Sequence, residues 1–445
     1  MISEVWTKSK LLVKVGVIAL IILLLMIPAY QVQELVTERQ TRQQEAVNEI
    51  SSKWAGKQMI NGPVLVLPFY QLDKDARNNP VQVKHYAYFL PSDLNIQSSV
   101  TPKEKYRGMY KVMLYSTKVH LAGTFSDLHP ERLKIAPESI LWSEAFLRMN
   151  VSDLKGLNEE LSFKWNNAPL TFSPGSPSDP YQSEGLTAPL NIAAINGIEG
   201  AKFSADLDLN GSQQLLFAPI GKSTAVQVQS QWPHPSFTGD ALPQTTSVKE
   251  SGFIASWRSL SHKRDFPQQF RDDDRPSDKL YNFNASSFGV DLFVPVNAYQ
   301  KTMRSVKYAL LCIVLTFSAF FIIEMVNKKS VHPFQYGLIG LALILFYTLL
   351  LSFSEYIGFN PAYLVASLAT IALIGWFVKG VLQSGRLSII LSAVLALMYG
   401  YVFTILQLQD FALLLGSIGL FLTLAIIISP ARSSGKPYAL ITISS

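Results

Sequence analysis

Six histidines, one cysteine, a run of three aspartates and a Gly-Lys-Ser-Thr string are the groups with which this 445-residue chain could do chemistry. His85, His120, His129, His234, His262 and His332 show none of the paired spacing by which two imidazoles reach one metal from a helix or hairpin. No resident metal is therefore expected. Cys312 is the sole cysteine, which excludes cysteine zinc sites, thioether haem attachment and disulfide bonding; its apolar surroundings argue against thiol catalysis. Gly221-Lys222-Ser223-Thr224 resembles the end of a phosphate loop, but the glycine needed five residues earlier is Leu216. A turn between strands is the reading there. Asp272-Asp273-Asp274 lacks the spaced oxygen ligands and the glycine of a calcium loop. Flanked by Arg271 and Arg275, it reads as a solvated loop. No Gly-x-Ser-x-Gly elbow occurs, so the sequence offers neither a catalytic constellation nor a cofactor site.

Two features invite a functional reading. In Trp232-Pro233-His234-Pro235-Ser236-Phe237 the prolines stiffen the backbone and withhold ladder donors. Trp232, His234 and Phe237 are then candidates for a docking edge, and a rigid strand exit with a core tryptophan is the equal alternative. Glu324 is the one acid inside an apolar segment, and intramembrane ionisable groups are functional candidates by default. Lys328 stands four residues on, so a pair on the helix surface is the expected explanation.

These groups must be positioned by a chain of unusual layout. An apolar run at 11–27 precedes about 280 mostly polar residues. Five further apolar runs follow at 308–326, 335–353, 361–378, 387–406 and 411–429. A helix needs about 20 residues to cross a bilayer core of about 30 Å, so six spans are expected. Only nine of the 38 Lys and Arg and four of the 32 acids lie outside 28–307, leaving 29 bases and 28 acids in the inserted segment. The pI of 9.1 thus reflects no basic domain, which argues against nucleic-acid binding. The nine bases alternate with the spans. Lys8, Lys10 and Lys14 precede or enter the first, Lys328 and Lys329 follow the second, Lys379 and Arg386 follow the fourth, and Arg432 and Lys436 close the tail. The intervening loops carry only Glu355 and Asp410. By the positive-inside rule both termini are cytoplasmic and residues 28–307 lie outside. The first run is long for a signal peptide and lacks a small-residue cleavage pair, so a retained anchor is expected.

Residues 31–61 read as a helical stalk, with Val32, Leu35, Val36, Val47, Ile50 and Trp54 as a sparse apolar stripe and Gly56 as its cap. A dimeric coiled coil is the alternative to packing on its own domain, and homo-oligomerisation stays open. From Gly62 the period becomes two. Ten or more short strands, separated by Pro, Gly and Ser clusters, predict a β-rich, sandwich-like domain over 62–307. Asn210-Gly211 predicts a hairpin turn, and 173–180 and 262–278 read as loops. Small residues at four-residue spacing (Ala362, Ala366 and Thr370; Ser392, Ala396 and Gly400; Ala412 and Gly416) predict close helix packing over 308–429. The sequence therefore divides into span one (1–30), stalk (31–61), β-rich domain (62–307), five-helix bundle (308–429) and tail (430–445).

Several strings together resemble the CreD family of bacterial inner-membrane proteins. They are Asn61–Pro68, Ser230–Phe237, Glu250–Trp257, the Lys307-Tyr-Ala-Leu entry to the second span, His332-Pro-Phe-Gln-Tyr336 and Phe346–Glu355. Only the tail after Pro430 departs from the pattern. The resemblance implies a cell-envelope integrity protein of the inner membrane, within the regulon of a two-component envelope-stress system and linked with β-lactam response and colicin tolerance. It assigns no reaction and no catalytic residues. The expectation is a non-catalytic protein whose periplasmic domain engages an envelope protein or cell-wall component, with membrane lipids around the bundle and no nucleic acid. Two rivals remain. One is a permease or lipid-handling component, which would want a cytoplasmic docking helix that the short 327–334 and 379–386 segments scarcely allow. The other is a periplasmic hydrolase, which would need His234, Asp240 and Ser236 or Ser251 in one cleft.

Overall fold

The computed structural model describes residues 2–74, 78–126, 128–175, 185–192, 198–273, 283–292, 298–327 and 331–408, with 417 and 421. The chain forms two compact units, one of residues 1–44 and 296–445 and one of residues 45–295.

Helix α1 (Ile2–Trp54) is a single helix of 53 residues, of which residues 2–44 belong to the first unit and 45–54 to the second. At 1.5 Å per residue it is about 80 Å long, far beyond a bilayer core. No glycine interrupts it between Gly16 and Gly56, and Pro28 is its one proline. Its polar half carries the i,i+4 pairs Glu38–Arg42 at 2.6 Å and Glu49–Lys53 at 2.8 Å. Its buried stripe is Ile18, Leu25, Ala29, Val32 and Val36, the three- and four-residue spacing of one helical face. The helix expected to leave the membrane at 31 continues the first apolar run without a break and ends at Trp54, two residues before Gly56.

The unit continues with α2 (Ala298–Lys307), α3 (Ala309–Val326), α4 (Pro333–Ile357), α5 (Phe359–Leu382) and α6 (Gly385–Gln407). Five helices, α1 and α3 to α6, are long and apolar enough to span a membrane. The sixth expected span, 411–429, lies outside the described residues apart from 417 and 421. The tail from 430 lies wholly outside them.

Helix α2 shifts the predicted boundary at 307. It belongs with the bundle because Tyr299, Thr302, Ser305 and Val306 form a buried face, which its lysines and arginine hid in the sequence. His332 caps α4: its Nδ1 accepts from the Phe334 N–H at 3.2 Å, and Gln335 reaches back to the His332 N–H at 3.1 Å. Of the small-residue stripes, Ala362, Ala366 and Thr370 are buried. Ala396 and Gly400 are exposed among the described residues, and Ala412 and Gly416 lie outside them. Closest approach falls instead at Gly340, where a Cβ would stand 2.1 Å from Leu25 Cδ1, and at Gly375, 2.6 Å from Ser392 Oγ.

Among its described residues the second unit holds seventeen strands. They are β1 (Gln58–Lys74), β2 (Pro80–Phe89), β3 (Asp93–Arg107), β4 (Tyr110–Phe125), β5 (Phe146–Val151), β6 (Ser162–Trp165), β7 (Ala168–Leu170), β8 (Ser173–Pro174), β9 (Leu186–Pro189), β10 (Ala201–Ser212), β11 (Gln214–Phe217), β12 (Ser223–Ser230), β13 (Pro235–Gly239), β14 (Thr245–Lys249), β15 (Gly252–Leu260), β16 (Gln269–Arg271) and β17 (Phe288–Leu292). One nine-stranded sheet runs β13-β17-β11-β1-β5-β9-β8, with β2 paired to β1 and β16 paired to β2. One eight-stranded sheet runs β14-β15-β12-β3-β4-β10-β6-β7. Both contribute to one core, in which Leu65, Phe69, Leu147, Phe217 and Phe288 meet Tyr115, Leu121, Ala205, Val228 and Ala255. The β domain starts at Gln58 rather than Gly62.

The expected hairpin at Asn210-Gly211 is not one. Strand β10 continues through both residues, and the chain crosses to the other sheet at Gln213, whose φ is +63°. Gly211 is required by packing, since a Cβ there would lie 2.3 Å from the buried Tyr115 hydroxyl. Short 3-10 turns at Pro137–Ser139 and Trp142–Glu144 lead into β5.

The last residues of α1, 45–54, belong to this unit. Trp54 Nε1 donates to the Tyr115 carbonyl at 3.4 Å, Lys103 lies over the Trp54 ring, and Arg107 pairs with Glu49 at 3.1 Å.

Candidate functional site

Glu324 sits near the end of α3 and is buried. Lys328 lies outside the described residues. The carboxylate accepts from Lys14 of α1, from the Val331 N–H at 2.9 Å and from the Tyr336 hydroxyl of α4 at 2.8 Å. Lys14 also donates to the Val331 carbonyl at 3.0 Å. A lone carboxylate in this setting would be costly; three donors, one of them cationic, offset that. A second acid repeats the device on the same helix α1. Glu355, at the end of α4, accepts from the Tyr299 hydroxyl at 2.9 Å and lies 4.0 Å from Arg39. Lys14 and Arg39 are 25 residues apart, about 38 Å along a helix. That separation brackets a hydrocarbon core of about 30 Å. The two clamps fix the axial register of α1 against its neighbours; no sequence spacing links 14 with 324 or 39 with 355.

The Trp232–Phe237 segment enters β13, an edge strand of the nine-stranded sheet. Trp232 is buried, and its Nε1 donates to the His234 carbonyl at 2.9 Å. Phe237 packs edge-on to Phe253 and Trp257, with centroids 5.9 and 5.8 Å apart. His234 and Ser236 are exposed. The two aromatic rings therefore hold the strand exit on the core, and His234 is the side chain of the three that faces outward. Among the described residues no hydrogen bond or ion pair joins His234 to Asp240, Ser236 or Ser251. Ser251 lies in the turn between β14 and β15 of the other sheet. Gly221 to Thr224 forms a small turn in which Thr224 Oγ1 accepts from the Gly221 N–H at 3.0 Å.

A broad polar surface lies on the eight-stranded sheet and has no signature in sequence spacing. On the eight-stranded sheet, the register aligns Asp206, His120, Gln97 and Gln227 in one row across β10, β4, β3 and β12. Asp208, Lys118, Ser99 and Gln229 align in the next row. Strands lie about 4.8 Å apart, so each row spans about 14 Å. The two rows floor a groove of about 480 Å³, with Glu159 and Glu160 at its side. His120 Nδ1 is 2.7 Å from Asp206 Oδ1. An adjoining groove of about 420 Å³ shares Ser99 and Gln229 and extends over Gln231, Ser247 and Ile254. Amides and hydroxyls here can each donate and accept, which suits a hydroxyl- and amide-bearing ligand lying across strands. Alternation along each strand marks these positions as outward, but only the register shows that they form rows.

Five membrane-length helices and a large β-rich unit inserted after the first of them define a polytopic membrane protein with an extensive domain outside the bilayer. The family model described as "Inner membrane protein CreD" matches residues 10–433. The inner membrane protein CreD of Escherichia coli (strain K12) is 31% identical over 407 residues, covering 91% of this chain and 89% of that protein. The chain belongs to the CreD family of inner membrane proteins. Among solved structures, an M1 zinc metallopeptidase from Deinococcus radiodurans aligns with a TM-score of 0.19 at 9% identity, covering 38% of this chain and 39% of that one. A likeness that low carries no argument.

Proposed function

We propose that this protein acts without catalysis in maintaining the cell envelope, by holding its β-rich domain on the periplasmic side to engage a cell-wall glycan at the groove of the eight-stranded sheet. The observation that carries the reading is the pair of polar rows across β10, β4, β3 and β12. They offer a broad hydrogen-bonding floor and no nucleophile–base pair. The family supplies the membrane, and the alternation of Lys and Arg between spans supplies the side. Helix α1 is held in the first unit by Lys14 at Glu324 and Arg39 at Glu355.

The permease alternative wants a docking helix on the cytoplasmic side. Between α5 and α6 there are two residues, Gln383 and Ser384, which leaves no such helix there. The hydrolase alternative wants His234 joined to an acid and a serine, and those groups share no hydrogen bond among the described residues.

The test has two arms. Membrane-impermeant maleimide on intact spheroplasts should label Lys249→Cys and Gly358→Cys; protection of either until lysis overturns the orientation. Cells lacking the protein should show raised envelope permeability and β-lactam sensitivity. The wild-type gene should restore both, and a Gln97→Ala, Gln229→Ala variant expressed at the same level should not. Full rescue by that variant removes the groove from the account.

A further inference from the structure

We propose that His85, Asp272 and Asp273 form a divalent transition-metal site, of the kind zinc occupies, with Asp73 orienting the imidazole from behind. The four residues come from two strands and one strand exit that the sequence does not relate. Asp73 is near the end of β1, His85 is in β2, and Asp272 and Asp273 follow β16, which pairs with β2. The candidate ligand atoms of His85, Asp272 and Asp273 all lie within 4.8 Å of one another.

The geometry separates two roles for the imidazole. Its Nε2 is 2.9 Å from Asp73 Oδ2, and its Nδ1 is 3.2 Å from Asp272 Oδ1. Bonds of about 2.0–2.2 Å to a tetrahedral ion place neighbouring ligand atoms about 3.3–3.6 Å apart. The Nδ1–Asp272 spacing already falls close to that edge, and Asp273 needs to move by roughly an ångström. A ring nitrogen that binds a metal leaves the other N–H to a carboxylate, the arrangement that fixes tautomer and ring orientation. Asp73 is placed to receive it. Phe69 closes one side of the ring at 5.8 Å between centroids.

Burial and charge agree with this assignment. The Asp272 side chain is 8% exposed and that of Asp273 is 33% exposed, so one ligand is fixed in the wall and the other faces solvent, where water completes the shell. Arg271 also grips Asp273, with its Nε at 2.8 Å from Oδ1, and reaches Gln71. A carboxylate has about four acceptor positions, so Asp273 can hold Arg271 and a metal together. With neutral His85, the three carboxylates and Arg271 leave a charge of −2, which a divalent cation neutralises. Oxygen-rich ligation with one imidazole suits zinc or manganese and excludes a thiolate-type site.

The experiment uses the full-length chain in nanodiscs, stripped with chelator, with zinc chloride as the probe and calorimetry as the readout. The expected result is one zinc per wild-type chain with affinity in the micromolar range or tighter, and loss of that site in His85→Gln and in Asp272→Asn. Asp73→Asn should weaken binding by about 10- to 100-fold, the usual effect of removing an orienting partner. His120→Gln, on the exposed His120–Asp206 pair, should leave the site unchanged. Because the variants could lose their fold, X-ray absorption on zinc-loaded wild type is the second measurement. One nitrogen and two or more oxygens at about 2.0–2.2 Å support the site. Absence of zinc binding by the wild type, equal binding by His85→Gln, or a shell with two or more imidazoles overturns it and leaves His85 as a bridge between two carboxylates.

Discussion

Removing the Glu324 carboxylate tests its clamp with Lys14, and the chain carries its own probe. Cys312 is the sole cysteine and is 1% exposed within α3, so its reaction with a thiol reagent reports opening of the bundle. Glu324→Leu leaves the Tyr336 hydroxyl and the Val331 N–H without their acceptor and strips Lys14 of its counter-charge. An unsatisfied buried donor costs about 1–3 kcal/mol, and breaking a buried ion pair from one side costs about 3–5 kcal/mol. Lys14 retains the Val331 carbonyl, and its side chain is 22% exposed, so it can snorkel to the interface. The lower end, about 3 kcal/mol, is the expected loss. At tenfold per 1.4 kcal/mol, Cys312 labelling in nanodiscs should accelerate by about 150-fold. Lys14→Met leaves the carboxylate two neutral donors, and about 1.5 kcal/mol, or roughly tenfold, follows. The double variant removes both charges together, so its loss should fall at least about 1 kcal/mol below the sum of the single losses. Acceleration of less than about threefold in Glu324→Leu, or strict additivity in the double variant, refutes the clamp.

Three further outcomes follow from the β-rich unit, each read as thermal unfolding of the full-length protein. Gly211→Ala should destabilise by about 1–3 kcal/mol, because its methyl meets the Tyr115 hydroxyl, which donates to the Gln214 carbonyl at 2.7 Å; an unchanged midpoint would contradict the packing role of that glycine. Arg264 is buried, lies over the Phe266 ring and donates to the Phe266 and Ile220 carbonyls at 3.1 and 3.2 Å. Burial pushes its guanidinium down to about 10, and Arg264→Met should cost about 2–4 kcal/mol by leaving those carbonyls without donors; a loss under about 0.5 kcal/mol would show that they find other partners. Trp232→Ala should lower stability by about 3–5 kcal/mol, whereas His234→Ala should leave the midpoint within a degree or so, and the reverse ranking would restore Trp232 to an exposed docking role.

Hydropathy alone located four of the bundle helices and the first apolar span, because membrane length and apolar content are local properties. Period-two alternation is long and clean in β4 and β10, so strands there are local properties too. What escaped is non-local. Helix α2 hid because three basic residues outweigh a four-residue buried face. The Gly211 signal was ambiguous, since a glycine serves both a turn and a close ring contact. Asp272, read as a solvated loop residue, is buried against His85, and burial pushes its carboxyl pKa up. The polar rows needed the register, and Lys14–Glu324 joins residues 310 apart; neither leaves a mark in sequence spacing.

The account rests most on the groove of the eight-stranded sheet. Co-sedimentation of the full-length protein in nanodiscs with purified cell-wall sacculi tests it directly. The wild type should pellet with the sacculi, and the Gln97→Ala, Gln229→Ala variant should pellet at least tenfold less at equal stability. A wild type that stays in the supernatant, or a groove variant that pellets equally, would contradict the central claim.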